Sequence, residues 1–268
     1  MAPPDNPQAG LKTAEYFGKL ADTYGSGEYY RKRREAALAE IRRELGKIES
    51  LLDLGCGNGT YLAAFKESIG PRLIAGGDLS LEMLRQARRR LGGSSSAMLV
   101  SCDATALPFR AGCWQSVFCS HVLQFVTDLP RCFSEIGRCL TPAGVLTVAG
   151  GELGTRERLR LVIGDARWAV FRDSLPRPRD VRVHRDLADY RRAAETAGFH
   201  VESRKVDFMA TWADVAEFYR VRWLPLIDSS SRAMLSDILA DITVERGTDQ
   251  IELAESLLFC RKANQARH

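Results

Sequence analysis

Acids and glycines recur in this sequence where apolar runs end, an arrangement suited to holding a polar, extended ligand. The run Leu51-Leu52-Asp53-Leu54 opens directly into Gly55-Cys56-Gly57-Asn58-Gly59-Thr60. Glycine is required where backbone folds sharply and approaches a ligand closely, because a Cβ would intrude. The spacing is Gly-x-Gly-x-Gly rather than the Gly-x-Gly-x-x-Gly of dinucleotide folds, so a pyrophosphate cradle is not reproduced. Asn58 and Thr60 carry side chains able to cap a helix starting there. Asp78 lies 19 residues after Gly59, a helix plus a strand away, where an acid can accept both hydroxyls of a ribose. Asp103 closes a third run and is placed to accept an adenine amino group, with the Ala104 N–H offered to the ring. Leu79, Met83 and Leu107 would wall the base. Ser120 and His121 end a fourth run, and His121 is a candidate general base because an unperturbed imidazole titrates near neutrality.

The elements that must position these residues alternate between strand and helix, the pattern of a parallel sheet covered on both faces. Strands are expected at 50–54, Arg72–Gly77, Ala97–Cys102, Ser116–Ser120 and Val145–Ala149. The helices between them are expected at 58–69, from Ser80 to the Gly92-Gly93 stop, and at Leu129–Leu140. The stretch Gly92-Gly93-Ser94-Ser95-Ser96 reads as a flexible turn. Further helices are expected at Arg156–Phe171, Asp186–Ala197, Thr211–Arg222 and Ser229–Ile242, and strands at Phe199–Phe208 and Ile251–Cys260. Leu175-Pro176-Arg177-Pro178-Arg179 reads as a linker, since each proline disfavours helix in the residue before it. The fold class is α/β: a doubly wound, Rossmann-like, mostly parallel seven-stranded sheet whose one antiparallel strand, Ile251–Cys260, enters near the edge.

One domain over 1–268 is expected. Residues 11–46 form an N-terminal helical lid, with Tyr16, Phe17, Leu20 and Tyr24 at helical spacing before Gly25-Ser26-Gly27. Arg31, Lys32, Arg33 and Arg34 follow, on what reads as a solvated basic face. Residues 47–152 form the ligand-binding core, and 153–268 complete the sheet with a cap insertion at about 209–250. A hairpin needs only 2–5 residues, so helices in that insertion should fold back over the carboxyl end of the sheet.

Composition excludes several classes. The 268 residues are 45% hydrophobic, enough for a substantial core. No apolar run is long enough to span a membrane. The opening ten residues lack a signal-peptide pattern and read as a frayed tail. Seven cysteines without a Cys-x-x-Cys suggest reduced thiols in a cytoplasmic protein. Four histidines without ligand spacing argue against a metal. The net charge of +4 rests on 31 Arg and 7 Lys. They are mixed with acids, so no nucleic-acid track is indicated; Arg forks do match carboxylates and phosphates.

The glycine stretch resembles motif I of the class I S-adenosylmethionine (SAM) dependent methyltransferases. Ser101-Cys102-Asp103-Ala104-Thr105-Ala106-Leu107-Pro108-Phe109 is similar to the family's strand-three signature, and Ser116–Asp128 to its strand-four segment. Glu135-Ile-Gly-Arg-Cys-Leu140-Thr-Pro142-Ala-Gly144 resembles its "E-x-x-R-x-L-x-P-G-G". The resemblance covers about 14–152. It is closest to the ubiquinone/menaquinone-biosynthesis and malonyl-carrier-protein methyltransferases, which act on small molecules and, in the malonyl type, close a helical cap over an acidic acceptor. It implies SAM as cofactor and S-adenosylhomocysteine as product. Asp53, Gly55, Cys56, Gly57, Asp78, Leu79, Met83, Asp103, Ala104 and Ser120 would line the cofactor, with Tyr16 and Tyr24 folded across it. Two departures stand out. The usual acid before strand four is replaced around Cys113-Trp114-Gln115, and a histidine common in that segment corresponds to Gln124, three residues after His121.

Methyl transfer needs in-line alignment and exclusion of water more than it needs protein chemistry. The acceptor pocket is therefore expected from the cap segments 11–46, 152–185 and 211–246. It would use His121, Gln124, Trp168, Arg172, Tyr219 and Arg222, for a small-molecule acceptor bearing an acidic group. The chain is expected to work as a monomer or homodimer. Two other classes remain open: a SAM-fold protein that binds without methylating, such as a cyclase, decarboxylase or regulatory subunit, and a nicotinamide-dependent oxidoreductase. The absent third-glycine spacing and absent Tyr/Lys hydride-relay pair argue against the second.

Overall fold

Why a parallel sheet forms is visible in the strand β1 (Ser50–Leu54), whose Leu51, Leu52 and Leu54 are buried on both of its faces. A strand apolar on both sides is stable only where helices cover both faces. The computed structural model describes residues 7–92, 97–153, 155–174 and 186–262. The first six residues, most of the 92–96 turn and the 175–179 linker lie outside the described residues. Strands β2 (Leu73–Asp78), β3 (Met98–Ser101), β4 (Trp114–Ser120), β5 (Leu140–Leu153), β6 (Phe199–Thr211) and β7 (Gln250–Lys262) complete a seven-stranded sheet. Its order is β3-β2-β1-β4-β5-β7-β6, with β7 antiparallel between β5 and β6 and the other pairs parallel. Strand order reverses between β1 and β4, so the crevice for a ligand opens beyond Leu54 and Ser120.

The helices α3 (Thr60–Ser68), α4 (Leu81–Arg90), α5 (Leu129–Cys139) and α7 (Leu187–Thr196) lie between successive strands. Local signals start them. Ser80 Oγ accepts from Met83 N–H ahead of α4, and Asp128 Oδ1 from Arg131 N–H ahead of α5. Each such cap is worth about 1 kcal/mol. The cap expected from Asn58 and Thr60 is not made. The N-cap of α3 is Gly59, left-handed at φ 78° and without a side-chain bond, and the Asn58 amide turns elsewhere.

The N-terminal segment forms α1 (Pro7–Gly18) and α2 (Glu28–Leu45), with turns over 19–27 between them, so the helix ends before Leu20 and Tyr24 rather than at the 25–27 break. Residues 7–10, read as frayed tail, are therefore helical. The cap insertion forms α8 (Trp212–Trp223) and α9 (Ser229–Arg246), and α6 (Thr155–Ser174) kinks at Gly164. These three do not close over the crevice as expected. Phe171, Trp212, Tyr219, Trp223 and Leu239 instead pack with Tyr29 and Tyr30 of α2 into a second core beside the sheet. Burying each large apolar side chain contributes about 1.5–3 kcal/mol, so the apolar face of the insertion is committed to supporting α2. Lys32 completes the junction with an ion pair to Asp214 at 2.7 Å, the residue that boxes the N-terminus of α8.

Candidate active site

The glycine turn after β1 is shaped by contacts that no larger residue permits. Gly55 has φ 72°, and a Cβ there would lie 2.1 Å from Val122 Cγ2. The turn therefore nests against the loop after β4, bringing the ends of β1 and β4 to one point. Beside it, Asp78 at the end of β2 receives the Gly57 N–H on Oδ2 and the Ser80 N–H on Oδ1, both at 2.8 Å. Burial pushes the Asp78 carboxyl up from its ordinary range, opposed by these N–H donors. Asp53 is 2% exposed, and its Oδ2 has no hydrogen-bond partner among the described residues. Burial, then the neighbouring Asp78, pushes its carboxyl well above the usual range. After β3, Asp103 Oδ1 accepts from Thr105 N–H at 2.7 Å and Thr105 Oγ at 2.8 Å, which turns the chain so that Ala104 faces the crevice.

These groups line a cavity of about 460 Å³, within the range of small-molecule sites. One end holds Asp78, Leu79, Met83, Asp103 and Ala104. The turn residues Asp53, Gly55, Cys56 and Gly57 form the middle, and Ser120 and His121 lie beyond them. Phe17 and Tyr24 of the lid cover the opening, edge to face at 5.6 Å, and Phe17 meets Phe125 at 4.9 Å.

The cavity has a basic, aromatic wall that sequence reasoning placed in solvent. Arg33 is buried, Arg34 is half-buried, and both line the cavity with Tyr30 and Tyr61. Burial holds the Arg34 guanidinium below its usual range. No hydrogen bond or ion pair engages Arg34 among the described residues. The Tyr61 hydroxyl lies near Ser120 without meeting hydrogen-bond geometry, and burial raises its pKa. A helix read as solvated from its charges is amphipathic in an unusual sense, with guanidinium groups as well as apolar residues on its inner face.

Seven predicted residues do not line this cavity. Trp168 stacks on Phe171 at 5.7 Å, and Tyr219 meets Phe171 at 4.9 Å, both in the second core. Arg172 is exposed and pairs with Asp173 at 3.1 Å. Gln124 donates back to the His121 carbonyl at 3.2 Å. Arg222 sits one layer out, its guanidinium 5.4 Å from the Phe17 ring and 5.1 Å from Tyr24. Tyr16 packs on Phe17 at 5.2 Å but leaves the cavity to its neighbour. Leu107, expected beside the base, is buried in the main core.

His121 is the one described non-glycine residue with positive φ, at 54°. Such backbone costs about 1–3 kcal/mol and persists where surroundings over-determine it. Its N–H bonds Ala149 O at 2.9 Å, and its Nε2 lies 2.8 Å from Glu255 Oε1 on β7. Nothing in the sequence around Glu255 marks it, because its neighbours are those of any buried strand.

SAM fits these residues. Its ammonium group would meet the orphaned Asp53 Oδ2, its ribose diol Asp78, and its backbone-hugging portion the turn a Cβ at Gly55 would fill. A mostly parallel sheet with one inserted antiparallel strand, a glycine turn after β1 and an acid at the end of β2 define the class I methyltransferase architecture. The "Methyltransferase domain" family model matches residues 52–148. A malonyl-[acyl-carrier protein] O-methyltransferase of Geobacter sulfurreducens is 31% identical over 213 residues, 78% of each chain. A ubiquinone/menaquinone biosynthesis C-methyltransferase of Desulfotalea psychrophila is 34% identical over 94 residues, 35% of this chain and 38% of its own. In fold, the chain is similar to geranyl diphosphate C-methyltransferase of Streptomyces coelicolor, with TM-score 0.56, 18% identity and coverage of 97% of this chain and 100% of that one. The chain belongs to the SAM-dependent class I methyltransferases, in the subgroup of the malonyl-carrier-protein and ubiquinone/menaquinone enzymes. That membership disfavours the nicotinamide alternative. Among the described residues, no helix is long and apolar enough to cross a membrane.

Proposed function

We propose that this enzyme methylates a small organic acceptor that bears an acidic group, with S-adenosylhomocysteine as the product. The observation that carries the acceptor reading is Arg34, a half-buried guanidinium in the cavity wall without an anionic partner among the described residues. A desolvated cation is costly unless paired, and a carboxylate or phosphate on the acceptor would pair it. SAM supplies, when bound, a methyl group already activated on a sulfonium. The protein's part is then placement. Asp53 and the glycine turn hold one end of the cofactor, Asp78 the ribose, and Asp103 with Ala104 the base. Phe17 and Tyr24 cover the site and exclude water, and Arg34 draws the acceptor to the opposite end. In-line alignment of this kind can supply roughly 7–11 kcal/mol of the barrier.

The test pairs methyl-labelled SAM with a panel of small phenols, hydroxy acids and carboxylic acids, followed by Arg34→Gln. The expected result is an acceptor KM raised about tenfold or more, the loss of a charge-assisted bond, with S-adenosylhomocysteine affinity unchanged. If Arg34→Gln weakens S-adenosylhomocysteine and spares the acceptor, Arg34 belongs to the cofactor's own carboxylate and the acidic-acceptor reading fails.

A further inference from the structure

Three ionisable side chains from distant parts of the chain meet beneath the polar end of the cavity. Arg33 comes from α2, Glu255 from β7 and His121 from the turn after β4. Glu255 Oε1 lies 2.8 Å from His121 Nε2 and 3.7 Å from Arg33 Nε. Glu255 is 1% exposed and does not reach the cavity, whereas His121 lines it. Burial alone would push the Glu255 carboxyl up, but Arg33 and then His121 outweigh it and hold the group below its ordinary range, ionised.

An ionised carboxylate has no proton to give, so it can only accept from Nε2–H. The neutral ring must then carry its proton on Nε2 and its lone pair on Nδ1. Nδ1 has no hydrogen-bond partner among the described residues. We infer that Glu255 is a positioning residue: it fixes His121 in the Nε2–H tautomer, so that Nδ1 takes a proton from the acceptor's nucleophile during methyl transfer. The inference rests on the methyltransferase reading of the same cavity and deepens it. The acceptor's nucleophile carries a proton, as a hydroxyl, an N–H or an acidic C–H does. As the nucleophile bonds to the methyl carbon, its X–H electron pair stays with it and the proton passes to Nδ1. The electron pair of the broken methyl–sulfur bond remains on sulfur, and the imidazolium later returns its proton to water.

A purely structural staple accounts poorly for this cluster. An apolar pair of similar volume would tie α2 to β7 at no desolvation cost, and replacing buried ion pairs in that way is often stabilising. Glu255 Oε2 has no hydrogen-bond partner among the described residues, so the carboxylate's one hydrogen bond goes to His121. His121 itself sits in left-handed backbone. Desolvation, an unmatched acceptor and backbone strain thus converge on one imidazole, and such costs concentrate at functional sites.

His121 contacts Glu255 on β7 and shares the cavity wall with Arg33 and Arg34 of α2, Tyr61 of α3 and Ser120. The experiment is nitrogen-15 NMR of the histidine-labelled full chain saturated with S-adenosylhomocysteine, with His121→Gln assigning the signal among the four histidines. The wild type should show Nε2–H with an unprotonated Nδ1 at high pH. Glu255→Gln should mix or reverse the tautomer, since an amide can donate to Nε2. On the acceptor found, Glu255→Gln should also lower kcat about tenfold or more with the acceptor's KM unchanged, the scale of an impaired general base. Loss of a structural staple would lower Tm and leave kcat unchanged. An Nδ1–H tautomer in the wild type overturns the inference even if Glu255→Gln fails to fold, as do an unchanged tautomer and unchanged kcat in the variant. A methyl ester as the product formed from the acceptor panel would overturn it as well. S-adenosylhomocysteine affinity, measured on the same samples, keeps this outcome separate from the methyltransferase assignment.

Discussion

The Asn58 side-chain amide donates to the Tyr24 carbonyl at 2.6 Å and to the Ala21 carbonyl at 3.1 Å. The glycine turn thus holds the lid through a residue suited by type to cap its own helix. Position and closure of the lid are coupled to the cofactor turn by one buried side chain. Asn58→Ala should weaken S-adenosylhomocysteine roughly tenfold, the scale of about 1.4 kcal/mol from lost buried hydrogen bonds, and should speed amide exchange at 20–25. Unchanged affinity and exchange would detach the lid from the turn.

Asp78 makes its two hydrogen bonds to backbone N–H groups that would orient it toward a diol. Asp78→Ala is expected to weaken S-adenosylhomocysteine by about 1.5–3 kcal/mol, the worth of hydrogen bonds to a charged group. Calorimetry reads this directly. Wild-type affinity in the variant would remove Asp78 from the ribose role.

Asp53 sets a pH dependence whose sign can be worked out. Burial and Asp78 hold its carboxyl well above the ordinary range in the free chain, so it binds a proton there at pH values where an exposed aspartate would not. The ligand's ammonium favours the ionised form. Binding should therefore release a proton, and affinity for S-adenosylhomocysteine should rise with pH until Asp53 is ionised in the free chain as well. Titrations in buffers of different ionisation enthalpy measure the proton count. Asp53→Asn should bind more weakly and lose this slope, and a slope that survives the substitution would sink the assignment.

Gly55 and Gly57 separate steric from conformational demands. Gly57 has φ 54°, but a Cβ would meet nothing closer than Met83 Sδ at 3.8 Å, so Gly57→Ala should cost about 1–2 kcal/mol of left-handed strain. Gly55→Ala adds the 2.1 Å clash with Val122. It should lower Tm further and abolish cofactor binding. Equal Tm losses for the two variants would show that the Val122 contact yields freely.

The order of elements, the strand ends bearing Asp53, Asp78, Asp103 and His121, and the SAM-dependent methyltransferase family were legible in the sequence. Each depends on short-range chemistry: apolar runs of strand length, glycine where a Cβ cannot fit, an acid where a run ends. Such signals lie within a few residues of the group they describe. The basic, aromatic wall of the cavity was not legible, because its residues are brought together by packing alone. Arg33 and Arg34 have the same local pattern as solvated Arg31, yet α2 is rotated by the second core so that they turn inward. Trp168 and Tyr219 had the composition of a binding pocket and joined the second core that packs against α2, while Arg222 lies over the lid rings of Phe17 and Tyr24. Glu255 lies 134 residues from the histidine it touches. Only the antiparallel insertion of β7 beside β5 brings it beneath the turn after β4, and that pairing is decided by the whole sheet rather than by any segment of it.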